Sequence, residues 1–368
     1  MADTIQSLTN SKEGVRYPLI DTHTHFDAPV FDADRAQQAQ RAYQSGVEHL
    51  VLVGYLYRHF DRLYEVKRFF DKRKFASDQA DSVDSDLVNI DARSIPTAHI
   101  ALGLHPFYIE QHSQDHLDSM ADMLDKQRPL AIGEIGLDTF TPQMKEPEVF
   151  AKQQRFFCAQ LDMAVAHQLP VMLHIRKAHA EALAILKEHD YDAKTLGGIA
   201  HSFSGGEQEA KAFVKLGFKL GVTGQVTNPN AKKLRRALQA AVAEYGIGCL
   251  VIETDCPDMT PINCQTSRDN ASALGKNQAQ SPDDVWEDDE GDDSHNRNVP
   301  ANLPLVLASL SELLAVDGAK LAQQLWQNSI DSLGQSWSYS VPDSGTILST
   351  GSSTKKSTSN QQNDAEKC

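Results

Sequence analysis

The chain has 368 residues, 40% of them hydrophobic and 23% charged, which is enough apolar content to bury a large core and excludes disorder throughout. A formal charge of −15 argues against a broad basic surface for nucleic acid and leaves room only for a local cationic site. No run approaches the roughly 20 apolar residues of a membrane span. The N-terminus lacks the basic start and apolar stretch of a signal peptide, so a cytoplasmic location without membrane contact is expected. The five cysteines, at 158, 249, 256, 264 and 368, form no C-x-x-C pair and read as free thiols.

In chain order, residues 1–16 read as a flexible N-terminus, followed by eight short apolar runs with the character of buried strands. They are 17–26, 48–55, 97–104, 129–137, 169–175, 196–203, 218–224 and 249–255. Helical periodicity fills the gaps, as over 147–168 and 207–216, and continues after the last run over 302–315 and 317–333. Near-continuous apolar strands separated by helices indicate a parallel sheet covered on both faces. Eight such units within 17–338 predict a TIM-type (β/α)8 barrel in a single domain of the α/β class. Two polar stretches interrupt it. One spans 77–94. The other, 262–300, carries three cations against nine carboxylates, so that −6 of the −15 lies there, and reads as a long acidic surface loop. Residues 339–368 are Ser/Thr-rich and are expected to be a disordered tail.

Ionisable residues fall at or near the C-terminal ends of five of these strands: His23 and His25 on the first, Glu134 on the fourth, His174 on the fifth, His201 on the sixth and Asp255 on the eighth. In a barrel those ends meet at one mouth, where active sites of this architecture lie. His23 and His25 stand two apart on a strand and share a face. Four imidazoles and two carboxylates exceed the needs of one ion and suit two divalent ions bridged by a carboxylate. Such a pair activates water near neutral pH and stabilises both the attacking and the leaving oxygen, which is hydrolytic chemistry.

The segments DTHTHFD (21–27), GLHP (103–106), GEIGLD (133–138), LPVMLHIRKA (169–178), HSFSG (201–205), LGFKLGVTGQVT (216–227) and ETDCPDM (253–259) resemble, in order, those of the TatD family of metal-dependent hydrolases. The resemblance runs from about Tyr17 to Gln335. It implies that His23, His25 and Asp255 bind one ion, that Glu134 bridges, and that His174 and His201 hold the second. Asp255 and Glu134 are then the catalytic carboxylates, with Asp255 accepting the proton of the attacking water. Nuclease members of the family cleave DNA phosphodiesters, often from a 3′ end, with Mg2+ or Mn2+, so DNA ends or another phosphodiester are the implied substrates; four imidazoles by themselves favour Zn2+ or Mn2+. The alternative is hydrolysis of a small amide, ester, lactone or phosphoester at the same centre. No obligate protein partner is implied.

Near these residues, Arg176 stands two beyond His174 and is placed to clamp a phosphate. His105 is placed either to donate to a substrate oxygen or to cap a helix. Asp138 and Asp27 are expected to orient metal-bound histidines. Cys256 reads as a small buried residue rather than a nucleophile, and Gly217, Gly221 and Gly224 as sites of close backbone packing. Four features depart from the family: the loop at 262–300 is unusually long and acidic, the polar insertion at 77–94 and the Ser/Thr-rich tail are additions, and Leu333 stands where the C-terminal turn of the family commonly has Phe.

Overall fold

The computed structural model describes residues 16–75, 94–265 and 296–341, so the N-terminus up to residue 15, nearly all of the 77–94 insertion, the middle of the acidic loop and the tail from 342 lie outside it. Eight parallel strands form one sheet in chain order: β1 (Leu19–Thr24), β2 (Val47–Val53), β3 (Thr97–Leu102), β4 (Ala131–Asp138), β5 (Val171–Arg176), β6 (Ile199–Ala200), β7 (Lys219–Val222) and β8 (Leu250–Ile252). Just beyond β8, Asp255 N donates to the His23 carbonyl (2.9 Å) and His25 N to that of Cys256 (2.9 Å). These bonds bring the last strand back to the first, and the sheet is a TIM-type (β/α)8 barrel.

The helices are α1 (Arg35–Gln44), α2 (Phe60–Phe75), α3 (Gln114–Lys126), α4 (Pro147–His167), α5 (His179–Glu188), the single turn α6 (Ala193–Leu196), α7 (Glu207–Leu216), α8 (Lys232–Tyr245), α9 (Leu303–Leu314) and α10 (Gly318–Leu333). All of these elements fall within one compact unit, Arg16–Ser340. None of the described helices is long and apolar enough to cross a membrane. Local chemistry sets several of their ends. Pro147 opens α4, where its missing N–H leaves no intrahelical bond unmade. Gly217 closes α7 in the left-handed region, and the Asp317 side chain caps α10 by accepting from Lys320 N.

Inward-facing side chains of the strands, Val51, Val53, Ala101, Ala131, Met172, Ile199 and Val251, pack into a dry plug joined by Leu333 of α10. The leucine that stands where phenylalanine is usual thus fills the N-terminal end of the barrel. Asn328, one turn earlier, is 1% exposed and donates to the carbonyls of Ile247 (2.9 Å) and Leu250 (2.7 Å), fixing α10 under β8. Both described ends of the acidic loop are anchored: at the first, Ile262 N donates to Thr227 Oγ1 (2.9 Å), and the second is held by Asn298 and Arg297. Asn298 is 1% exposed and donates to the Thr254 carbonyl, while Arg297 lies over Phe31 and pairs with Asp34. Cys158, Cys249, Cys256 and Cys264 are free thiols, and Cys368 lies outside the described residues.

Candidate metal centre

All six residues singled out as metal ligands converge at the C-terminal mouth of the barrel, around the carboxylate of Glu134. Its Oε2 lies 3.3 Å from His23 Nε2 and 3.6 Å from His25 Nε2. Its Oε1 lies 2.8 Å from His174 Nδ1, 3.2 Å from His105 Nε2 and 3.6 Å from His201 Nε2. One oxygen therefore faces the first-strand pair and the other faces β3, β5 and β6. Asp255 completes the ring, with Oδ1 3.8 Å from His23 Nε2 and Oδ2 3.5 Å from His201 Nε2. Its backbone is left-handed (φ 55°), a conformation that Asp tolerates better than most residues. A cavity of about 580 Å3 bordered by Lys67, Arg128 and Leu333 lies at the opposite end and includes none of these groups.

Partners behind the ring fix which atoms point inward. His25 Nδ1 is 3.1 Å from the Val53 carbonyl, which leaves Nε2 toward Glu134. His174 Nε2 is 2.9 Å from Asp138 Oδ2, as expected for an orienting carboxylate. Asp27 does not take the same role. It is buried near His25 but makes no hydrogen bond to it among the described residues, because the strand carbonyl already holds that ring.

Sequence reasoning passed over Glu253, which is fully buried and places Oε1 2.9 Å from His201 Nδ1 while accepting from Ser202 N (2.6 Å) and Thr22 Oγ1 (3.1 Å). A glutamate in the otherwise apolar run CLVIETD was the available signal. Gly221 makes room for it, since a Cβ there would stand 2.4 Å from Glu253 Oε1.

Of the two roles suggested for His105, the cap is observed. As N-cap of the 3-10 turn Pro106–Gln111, its Nδ1 accepts from Phe107 N (3.0 Å), so the proton of the neutral ring sits on Nε2, facing Glu134. It therefore offers the site a proton rather than a lone pair. Burial, with the charge of His174 beside it, pulls its pKa down to about 4 and keeps it neutral. Arg176 places its guanidinium carbon 3.5 Å from the centre of the Phe140 ring, at the rim beyond His174. Cys256 is fully buried with Sγ 2.8 Å from Thr24 Oγ1, and burial pushes its thiol well above the usual range, so no thiolate is available for attack.

The electrostatics of the bowl favour bound positive charge. Burial raises Asp255 to about 7. Glu134 is held well below the ordinary carboxylate range because neighbouring His105, His201 and His23 outweigh its burial. His25, His174 and His201 are pushed up to about 9 by the carboxylates around them, against burial that pulls each down. His23 goes the other way, lowered to about 3 by burial and by the His201 ring stacked on it at 3.4 Å. Neither nitrogen of His23 has a hydrogen-bond partner among the described residues, although both are buried. Such a ring is costly unless a cation accepts its lone pair. Three sets, His23–His25–Asp255, His23–His201–Glu253 and His105–Glu134–His174, each bring their ligand atoms within 4.8 Å of one another. The donor set thus fits a divalent metal.

The family model described as "TatD related DNase" matches residues 20–334. A curated relative from Escherichia coli K12, "Uncharacterized metal-dependent hydrolase YjjV", is 35% identical over 247 residues, covering 67% of this chain and 81% of the relative. The "3'-5' ssDNA/RNA exonuclease TatD" of Salmonella typhimurium LT2 is 30% identical over 259 residues, covering 69% and 86%. The crystal structure of YjjV superposes with a TM-score of 0.61 at 30% identity over 85% of this chain and 97% of that one. With the barrel, the buried His and carboxylate ring and this extent of likeness together, the chain belongs to the TatD family of metal-dependent hydrolases.

Proposed function

We propose that the protein is a deoxyribonuclease that removes nucleotides from DNA 3′ ends, in which His23, His25, Glu134, His174, His201 and Asp255 would hold two divalent ions, with Glu134 shared between the His23–His25–Asp255 group and the His174–His201 group. The observation that carries the reading is the position of Glu134, whose two oxygens face separate groups of imidazoles. When bound, the ions supply Lewis-acid charge that activates water and stabilises negative charge on the phosphate. Asp255, the carboxylate with the raised pKa, takes the proton of the attacking water. His105 donates from Nε2 to a phosphate or leaving oxygen, in the tautomer that its backbone cap enforces. Arg176, over the Phe140 ring and making no ion pair among the described residues, offers its fork to a non-bridging oxygen. Asp138 and Glu253 hold the His174 and His201 rings in place. The exonuclease name of the Salmonella relative supports a nucleic-acid substrate.

The test is hydrolysis of a 3′-labelled single-stranded oligonucleotide and of a chromogenic phosphodiester by metal-stripped protein supplied with magnesium, manganese or zinc, comparing wild type with Glu134→Ala. Metal-dependent release of labelled mononucleotide that the substitution abolishes is the expected result. Activity confined to the small diester would move the substrate to small molecules, and silence on both despite bound metal would move it to acyl compounds.

A further inference from the structure

Charge is divided unevenly around the mouth of this acidic chain. On the side of β1 and β8, among the described residues, Arg35 and Arg62 pair with Asp32, and Arg297 with Asp34. On the side of β5, β6 and β7 the cations have no carboxylate partner among the described residues. Arg176 ends β5 and Lys177 follows it, both over the face of Phe140. Lys233 reaches the Ser204 carbonyl in the loop after β6, and Arg235 the Val226 carbonyl in the turn after β7, which places the start of α8 at the same rim. Lys232 and Arg236 extend that rim outward as exposed side chains. None of these six forms an ion pair among the described residues. Of the carboxylates nearby, Glu209 is turned onto Gly206 N, and Glu181 and Glu207 pair with none of the six.

Lys232 and Lys233 also occupy the first turn of α8, which contains no acidic residue. Cations there oppose the helix dipole, so helix stability does not account for them. A row of unpaired cations leading away from a phosphate-cleaving centre has the chemistry of a polyanion track.

We propose that the β5–β7 sector of the rim, from Arg176 and Lys177 to Lys232 and Arg236, carries the phosphates of a single polynucleotide strand beyond the one being cleaved. This rests on the nuclease reading and adds to it that the substrate is a chain several nucleotides long, entering over β5–β7 and not over the acidic β1–β8 side.

The test is the salt dependence of binding of a fluorescent phosphorothioate single strand of about 12 nucleotides to the full-length protein, between about 50 and about 200 mM KCl. Lys232→Gln/Arg236→Gln is compared with Lys126→Gln/Lys187→Gln, which removes the same charge from helix ends at the opposite pole. The rim variant is expected to lower the slope of log K against log salt by about 1.4, roughly 0.7 per lost phosphate contact, with the opposite-pole variant unchanged. Equal slopes in all three proteins, or an equal loss from the opposite-pole variant, would overturn the track. Displacement of the strand by polyglutamate as readily as by unlabelled DNA would overturn its assignment to nucleic acid. Because this readout is binding, a wild type that cleaves DNA while its slope ignores the rim variant refutes the track and spares the nuclease. If the phosphorothioate binds as expected and an unmodified strand of the same sequence is never cleaved by the metal-loaded enzyme, the nuclease is refuted.

Discussion

Gly221→Ala probes the site through a residue that touches no metal. The added methyl would stand 2.4 Å from Glu253 Oε1 and 2.7 Å from its Cδ, against an ordinary contact near 3.4 Å, so the carboxylate must retreat by about 1 Å. It has no slack. Ser202 N holds it at 2.6 Å, Thr22 Oγ1 at 3.1 Å, and His201 Nδ1 lies at 2.9 Å. Backbone φ at 221 is not positive, so without the clash the substitution would be neutral or stabilising by about 0.4–1 kcal/mol through the unfolded chain. With it, overpacking costs about 1–3 kcal/mol, and loosening the partner of His201 lowers metal affinity about 10- to 100-fold. Metal affinity by competition with a chromogenic chelator and thermal unfolding of the metal-free protein measure the two effects separately. Gly221→Ala/Glu253→Ala should recover much of the stability, with metal binding still weak. A Gly221→Ala protein that binds metal as wild type does and unfolds within about a degree of it would refute the account of Glu253 as the rigid partner of His201.

Asp255→Asn should keep the fold, because Asn tolerates the left-handed backbone at φ 55°, while activity on the substrate that wild type hydrolyses falls about 10²- to 10⁴-fold; near-wild-type kcat at matched metal occupancy would remove Asp255 as the base. Cys256→Ala should leave kcat within a few-fold of wild type, since the buried thiol has no role as a nucleophile, and a loss resembling that of Asp255→Asn would contradict this. His112, 2% exposed and placed to donate to the His105 carbonyl, is lowered to about 3 by burial. Its folded pKa lies below the unfolded value, so its neutral form supports the fold fully above about pH 6.5 and that support is lost as pH falls toward 3. Relative to His112→Gln, wild type should lose about 1.5 kcal/mol between about pH 6.5 and about pH 5 in urea unfolding, and parallel pH profiles of the two proteins would show that His112 does not titrate as described.

The barrel and the metal ring were legible for one reason: in a parallel sheet covered on both faces a charged side chain stands out against apolar neighbours. His23, His25, Glu134, His174, His201 and Asp255 all break such runs at their ends. Glu253 breaks one as well, and was passed over because Asp255, two residues later, already accounted for the segment. Asp27 was given a role on adjacency alone, and the Val53 carbonyl, which no side-chain pattern encodes, holds His25 in its place. Which of the two roles His105 takes was left open for a related reason, since its cap depends on the backbone N–H of Phe107. The cations of α8 carry no distinguishing mark in the sequence, and only the fold brings the start of that helix to the rim that Arg176 also occupies. Contacts made by main-chain groups, and neighbours brought together across three strands, are what one sequence withholds.

The apolar plug beneath the site belongs to its chemistry as much as to the stability of the barrel. Val53, Ala101, Ala131, Met172, Ile199 and Val251 exclude water from below the ring of imidazoles and carboxylates, so that the charges above are screened on the open side only. Between plug and ring, Asp21 is fully buried, accepts from Thr254 N (2.8 Å) and Thr254 Oγ1 (2.6 Å), and is raised to about 8 by burial. A protonated Asp21 ties β1 to the residue before Asp255 without adding a further negative charge under the site. The seam where the barrel closes, between β8 and β1, is therefore held by neutral hydrogen bonds below and by the His23 and Asp255 backbones above. Three of the proposed ligands, His23, His25 and Asp255, sit on that seam. Their mutual spacing is set by barrel closure itself, which explains how a site assembled from strands distant in sequence holds its geometry without a dedicated loop.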